Sequence, residues 1–145
     1  MGWVRSRKRH KQKSPSEEDD RNHKENQMNK KSLIIKADAL FATFWHRHHK
    51  CCAIEGCNNP CELCHLISRG NHLFRWDPRN IINLCSWHHK NSKLLSHHGS
   101  PEAFKEWMKH NQPEQYEFWQ SNKNKIGVSI PEYWYREQVE ELRKW

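Results

Sequence analysis

Between Cys52 and His89 the chain carries an ordered set of metal-binding residue types: Cys52-x4-Cys57, Cys64-His65, Asp77-Pro78-Arg79-Asn80 and Cys85-x2-His88-His89. A tetrahedral zinc site takes four thiolate or imidazole ligands, normally as two short-spaced pairs. Cys52 and Cys57 make one such pair, with Gly56 letting the chain turn, and Cys85 with His88 makes the other. Two alternatives stay open on spacing alone. Cys51 can replace Cys52, and Cys61-x2-Cys64 is an equally good pair. The latter ranks second because it would clamp the chain directly against His65.

A staple of this kind suits the composition. The 145 residues are only 34% hydrophobic, with a mean hydropathy of -1.17, which is lean for a packed core. No stretch approaches the ~18 apolar residues of a membrane span, and the first residues carry no apolar secretory run. The expectation is a cytoplasmic chain without membrane contact, where Cys/His clusters serve as metal sites rather than disulfides. The net charge of +8 and pI near 9.3 favour a polyanionic partner, most simply DNA.

Residues 1–31 are nearly free of apolar side chains and run basic, acidic, then mixed, so they read as a disordered basic and mixed-charge tail. Ser32 is a plausible N-cap for a helix over about 32–48, with Leu33, Ala37, Leu40, Phe41 and Phe44 at helical spacing and Trp45 as core. His46, His48 and His49 read as its solvated basic end. Ser100-Pro101-Glu102 starts a further helix with Ala103, Phe104, Trp107 and Met108 on its apolar face. Pro113 begins another, with Tyr116, Phe118 and Trp119. Residues 121–145 read as a loop followed by a C-terminal aromatic helix from Pro131 to Lys144. At helical spacing these aromatics are core rather than stacking platforms. The fold class expected is α+β, mostly helical, with a small sheet and a structural zinc site in a domain over 32–120.

Inside that domain the pattern reads strand (Cys61–Ile67), long polar loop (68–80), strand (Ile81–Leu84), helix (Trp87–Leu95). This sets His65 on the first strand, Asn80 where the loop closes onto the second, and His89 on the helix. Phosphodiester hydrolysis needs an activated water, a Lewis acid on the phosphate and stabilisation of the leaving oxygen. A histidine of near-neutral pKa can deprotonate the water, a second can bind the ion, and an asparagine can pin the loop by hydrogen bonds. Arg69, Arg75 and Arg79 flank the loop, and planar guanidiniums suit phosphate oxygens. The alternative for them is ordinary surface exposure or pairing with Asp77.

Cys64-His65-Leu66-Ile67, Asn80 and Cys85-x2-His88-His89 resemble the signature of HNH, or ββα-metal, endonucleases. The longer series ADALF (37–41), CHLISRGN, RWDPRN and LC-x2-HH resembles the NinG/Rap-type recombination nucleases of lambdoid phages, over about residues 36–96. The resemblance implies a ββα-metal core and metal-dependent DNA cleavage leaving 5′-phosphate and 3′-hydroxyl ends, on branched recombination intermediates for the NinG/Rap group. It makes His65 the general base, Asn80 the loop-orienting residue and His89 the helix metal ligand. It also makes Cys52, Cys57, Cys85 and His88 the ligands of a structural Zn2+. Two positions depart from the pattern. Many relatives carry Asp as a second ion ligand where this chain has Cys64, and a further His where it has Lys93. Cys64 is the candidate for the second-ligand position; either it is not a ligand, or the site prefers a softer transition metal such as Mn2+ over Mg2+, or catalysis is weakened. A double-strand break would need a homodimer or two events. The competing expectation is a catalytically inactive, zinc-stabilised nucleic-acid-binding or accessory protein of a phage DNA-processing complex, acting in the host cytoplasm and docking through Trp134, Leu142 or Trp145.

Overall fold

The computed structural model describes residues 17–127 and 129–145 and is a mixed α/β fold with a two-stranded sheet. The basic run from Arg5 to Lys13 lies outside the described residues. The tail is not wholly irregular: Glu17–Asn26 forms helix α1, whose sequence runs acidic at its start and ends on His23 and Lys24. That order complements the helix dipole at both ends.

Helix α2 spans Lys30–His48 and is capped by Asn29, not Ser32; the Asn29 side chain accepts from the Ser32 backbone N–H at 3.0 Å. Leu33, Ala37, Phe41 and Trp45 recur every fourth residue and are its buried stripe. Each large apolar side chain so buried contributes roughly 1.5–3 kcal/mol. The basic end is solvated as expected, with His46, Arg47 and His48 exposed. His49 instead stacks on Trp45, ring centroids 3.9 Å apart.

Strand β1 (Glu62–His65) pairs antiparallel with β2 (Ile81–Leu84), with Cys64 opposite Ile82 and His65 opposite Ile81. β1 is shorter than the expected 61–67, because the buried side chain of Asn80, not a strand partner, takes the backbone N–H of Ile67. The period-two alternation of a strand divides the core. Ile81 faces a cluster built by α2, Trp76 and the C-terminal helix α5 (Glu132–Arg143), which contributes Tyr135, Val139 and Leu142. Cys64, Ile82 and Leu84 face a second cluster with Cys52, Cys85, Phe104 and Met108. The last two come from α3 (Pro101–Asn111), which is followed by α4 (Pro113–Asn122). Ala103 on α3 is exposed rather than buried. The segment 121–145 is thus no appendage, since its helix completes the first cluster and Trp145 packs its ring edge on Phe44.

After β2 the chain does not form the expected helix over 87–95. Trp87–Asn91 is a single π-helical turn, closed by the Ser92 N–H on the Trp87 carbonyl at 2.9 Å. Such wide turns occur often at functional sites. No helix among the described residues is long and apolar enough to cross a membrane.

Candidate metal centre and the adjoining cleft

Cys52, Cys57, Cys85 and His88 converge, their ligating atoms all within 4.8 Å of one another. Among the described residues this is the one group of three or more His, Cys, Asp or Glu with that property. The local fold explains the convergence. Gly56 takes φ +76°, a left-handed conformation that favours glycine, so the Cys52–Cys57 segment doubles back. Ala53 N–H bonds to the Asn83 carbonyl at 2.8 Å, which ties this knuckle to β2 just before Cys85.

The distances fit zinc. Cys57 Sγ and Cys85 Sγ are 3.8 Å apart, and a tetrahedral ion with ~2.3 Å Zn–S bonds separates its sulfurs by about 3.8 Å. His88 Nδ1 lies 3.4 Å from Cys52 Sγ and 3.3 Å from Cys85 Sγ. The electrostatics agree. Burial acts to raise the Cys85 thiol, but backbone hydrogen bonds of His88 and Trp87 and the thiols of Cys57 and Cys52 outweigh it and lower its pKa. Burial pushes the Cys52 thiol up to about 11. A zinc ion held here would supply the charge that compensates buried sulfur. Cys51 is exposed, and Cys61 donates to the His49 carbonyl at 3.4 Å. Neither alternative ligand pair is therefore assembled.

His88 and His89 are neighbours on the π turn yet serve different places. His89 lines a cleft of about 520 Å³ running along β1, with Glu62, His65, Ser68, Arg69, Lys90, His97 and His98. His65 Nε2 lies 3.0 Å from the Arg75 carbonyl oxygen. A carbonyl only accepts, so Nε2 carries the proton and Nδ1 keeps its lone pair. Burial, with Arg69 and Arg75 beside it, lowers the His65 pKa and keeps the ring neutral at pH 7.

Asn80 is fully buried and holds the long loop shut. Its Oδ1 accepts from Ile67 N–H at 2.7 Å, and its amide donates to the carbonyls of Ile67 (3.1 Å) and Phe74 (3.0 Å). It does not touch the cleft; it fixes the loop that follows His65.

Cys64 is not in the cleft. It is fully buried in the second core cluster, and burial pushes its thiol far above the usual range. Strand alternation turns it away from the face that carries His65, so it corrects the expectation of Cys64 as an ion ligand. The arginines separate as well. Arg75 grips Asp38 through two hydrogen bonds, 2.8 and 2.7 Å, and bonds the Arg69 carbonyl. Asp38 also accepts from the Trp76 indole at 2.9 Å, so Arg75 is a structural clamp and not a free phosphate ligand. Arg79 pairs with Asp77 at 2.7 Å and lies over the Phe118 ring, away from the cleft. Arg69 keeps an exposed guanidinium on the cleft, at 3.2 Å from Asp38. His72 Nδ1 lies 2.7 Å from the Tyr135 hydroxyl.

Sequence reasoning missed Glu62, His97 and His98. The signal for the histidines was a His-His pair within ten residues of His89, in a serine- and glycine-rich turn. Family models, curated proteins and solved structures yield no match to this chain.

Proposed function

We propose that the chain is a zinc-stapled, metal-dependent endonuclease of the ββα-metal type, hydrolysing DNA phosphodiester bonds in the cleft along β1. The observation that carries the reading is the pairing of His65 and His89 in one cleft, with His65 oriented through Nε2 by the Arg75 carbonyl. Its Nδ1 lone pair is then the general base: it takes a proton from water as that water's oxygen attacks phosphorus. The bond from phosphorus to the 3′ oxygen breaks and that oxygen takes a proton from solvent water, leaving a 5′-phosphate and a 3′-hydroxyl. Asn80 contributes by holding both ends of the loop, so His65 meets the phosphate in one orientation. Arg69 supplies a guanidinium to a phosphate oxygen.

The donor set suits a divalent ion: the imidazole of His89 with the carboxylate of Glu62 at 3.5 Å. Such an ion supplies a Lewis acid on the phosphate and neutralises charge on the leaving oxygen. The net charge of +8 supports a nucleic-acid substrate bound mainly through its backbone. Branched recombination intermediates are the substrates the sequence resemblance favours.

The test is cleavage of a labelled four-way junction and of matched linear duplex by purified protein, with Mg2+, Mn2+, Co2+ and Ni2+ in parallel. Cleavage that requires an added ion and vanishes in His65→Ala is expected, with the junction preferred. Binding without cleavage under every ion would contradict the proposal and leave a zinc-stabilised binding module.

A further inference from the structure

The sequence lacks two ligands that its resemblance calls for, with Cys64 and Lys93 standing in their positions. The cleft supplies candidates from elsewhere. Glu62 opens β1, and its Oε1 lies 3.5 Å from His89 Nδ1. That nitrogen is buried and without a hydrogen-bond partner. Two atoms bound to one ion at ~2.1 Å sit about 3.0–3.4 Å apart, depending on geometry, so this separation is close to that of two ligands. On the other side of His89 stands His98, ring centroids 5.1 Å apart.

The position of His98 is built, not incidental. The chain after the π turn folds back so that His97 N–H bonds the His88 carbonyl and His98 N–H the His89 carbonyl, both at 3.1 Å. The returning loop is tied by a buried serine. Ser96 Oγ donates to the Ser92 carbonyl and accepts from Gly99 N–H, each at 2.7 Å, while Ser100 Oγ accepts from Ser96 N–H at 2.7 Å. A Cβ on Gly99 would lie 2.6 Å from the Ser92 carbonyl oxygen and 2.5 Å from Ser96 Oγ, so any side chain there would force the loop to shift. His97, ring-on-edge against Phe104 and 4.5 Å from His98, backs the pair. The His98 ring is exposed.

We infer that Glu62, His89 and His98 hold a second metal ion in the cleft, a divalent first-row transition ion in preference to Mg2+. Two imidazoles and one carboxylate make a borderline donor set, which favours such ions over magnesium. Glu62 also lies 3.5 Å from Lys90 Nζ, a surface contact that ion binding replaces. This deepens the nuclease reading and rests on it for its purpose, although the site itself is testable without cleavage.

The experiment uses the full chain preloaded with one equivalent of zinc and titrated with Co2+, followed by visible absorption and calorimetry. One further equivalent is expected to bind with d–d bands and no thiolate-to-cobalt charge transfer, which separates this site from the cysteines. His98→Ala, an exposed position, is expected to weaken that binding by about tenfold or more while zinc content and thermal melting stay unchanged. Glu62→Gln should weaken it as well. No second equivalent, or equal binding in wild type and His98→Ala, would overturn the assignment. Cobalt bound here without DNA cleavage would leave the site standing and remove the nuclease reading; cleavage unaffected by His98→Ala would do the reverse.

Discussion

The cysteine cluster and the histidine cleft share one π turn, with His88 pointing to the first and His89 to the second. They are assembled by opposite means. The cluster closes through two short knuckles, and its four ligand atoms already lie within 4.8 Å of one another. The cleft draws Glu62 and His65 from β1, His89 from the turn and His98 from a returning loop, and its groups are more open. A site that staples a small core must be rigid and closed, because metal affinity is folding energy there. A site that admits substrate keeps an open position. The difference predicts that damage to one centre costs stability and damage to the other costs activity.

The largest effect is expected from the cluster. Structural zinc contributes on the order of 10 kcal/mol of apparent binding energy in small metal-stapled domains. Stripping it with a strong chelator, or making Cys85→Ser, is expected to unfold the second core cluster, seen as loss of dispersed methyl NMR signals around Ile82, Leu84 and Met108. A protein that keeps those signals without metal would break the comparison at its root. His65→Ala should behave in the opposite way, lowering cleavage by roughly 10²–10⁴-fold with little change in melting temperature.

Asp38→Ala lies between the two. It removes the shared acceptor of Arg75, Arg69 and Trp76 and leaves the Arg75 guanidinium short of a partner, so a loss of about 3 kcal/mol is expected in denaturant unfolding. That is the low end for a buried pair, because Asp38 is partly solvated. Gly99→Ala should cost about 1–3 kcal/mol through overpacking against Ser92, and should weaken cobalt binding in the cleft without displacing zinc.

The smallest effect is the pH dependence. His65 has its pKa lowered by burial and by Arg69 and Arg75. In the proposed mechanism the neutral ring is the base, so cleavage should be full above the ordinary histidine value of about 6.5 and fall only as pH drops through the lower folded value. The same sign holds for stability. The unfolded chain takes up this proton first, so the His65 contribution is lost as pH falls below about 6.5. A kcat profile whose acid limb sits above 6.5 would contradict the assignment of His65.

How much the sequence discloses follows the same division. The clustering of Cys52, Cys57, Cys85 and His88 was legible because knuckle spacing is local, and so were β2 and the buried stripe of α2. The choice between Cys51 and Cys52 was not, since it depends on which thiol the bridge to Asn83 turns inward. The cleft was only half legible. His65 and His89 stand in a recognisable order, but Glu62 and His98 join them through strand pairing and a backbone fold-back with no spacing rule of their own. Cys64 misled because reading along the chain places it beside His65, while strand alternation puts them on opposite faces. Arg75 misled for a similar reason, its partner Asp38 lying 37 residues earlier on α2.

The most direct test of the account is relaxation of supercoiled plasmid by protein carrying one zinc and no other ion, before and after Mn2+ is added. The account predicts a folded, inactive protein that begins to nick when the second ion arrives, and no nicking by His65→Ala under the same conditions. Full nicking with zinc alone, or nicking by His65→Ala equal to wild type, would contradict the separation of staple from catalytic cleft.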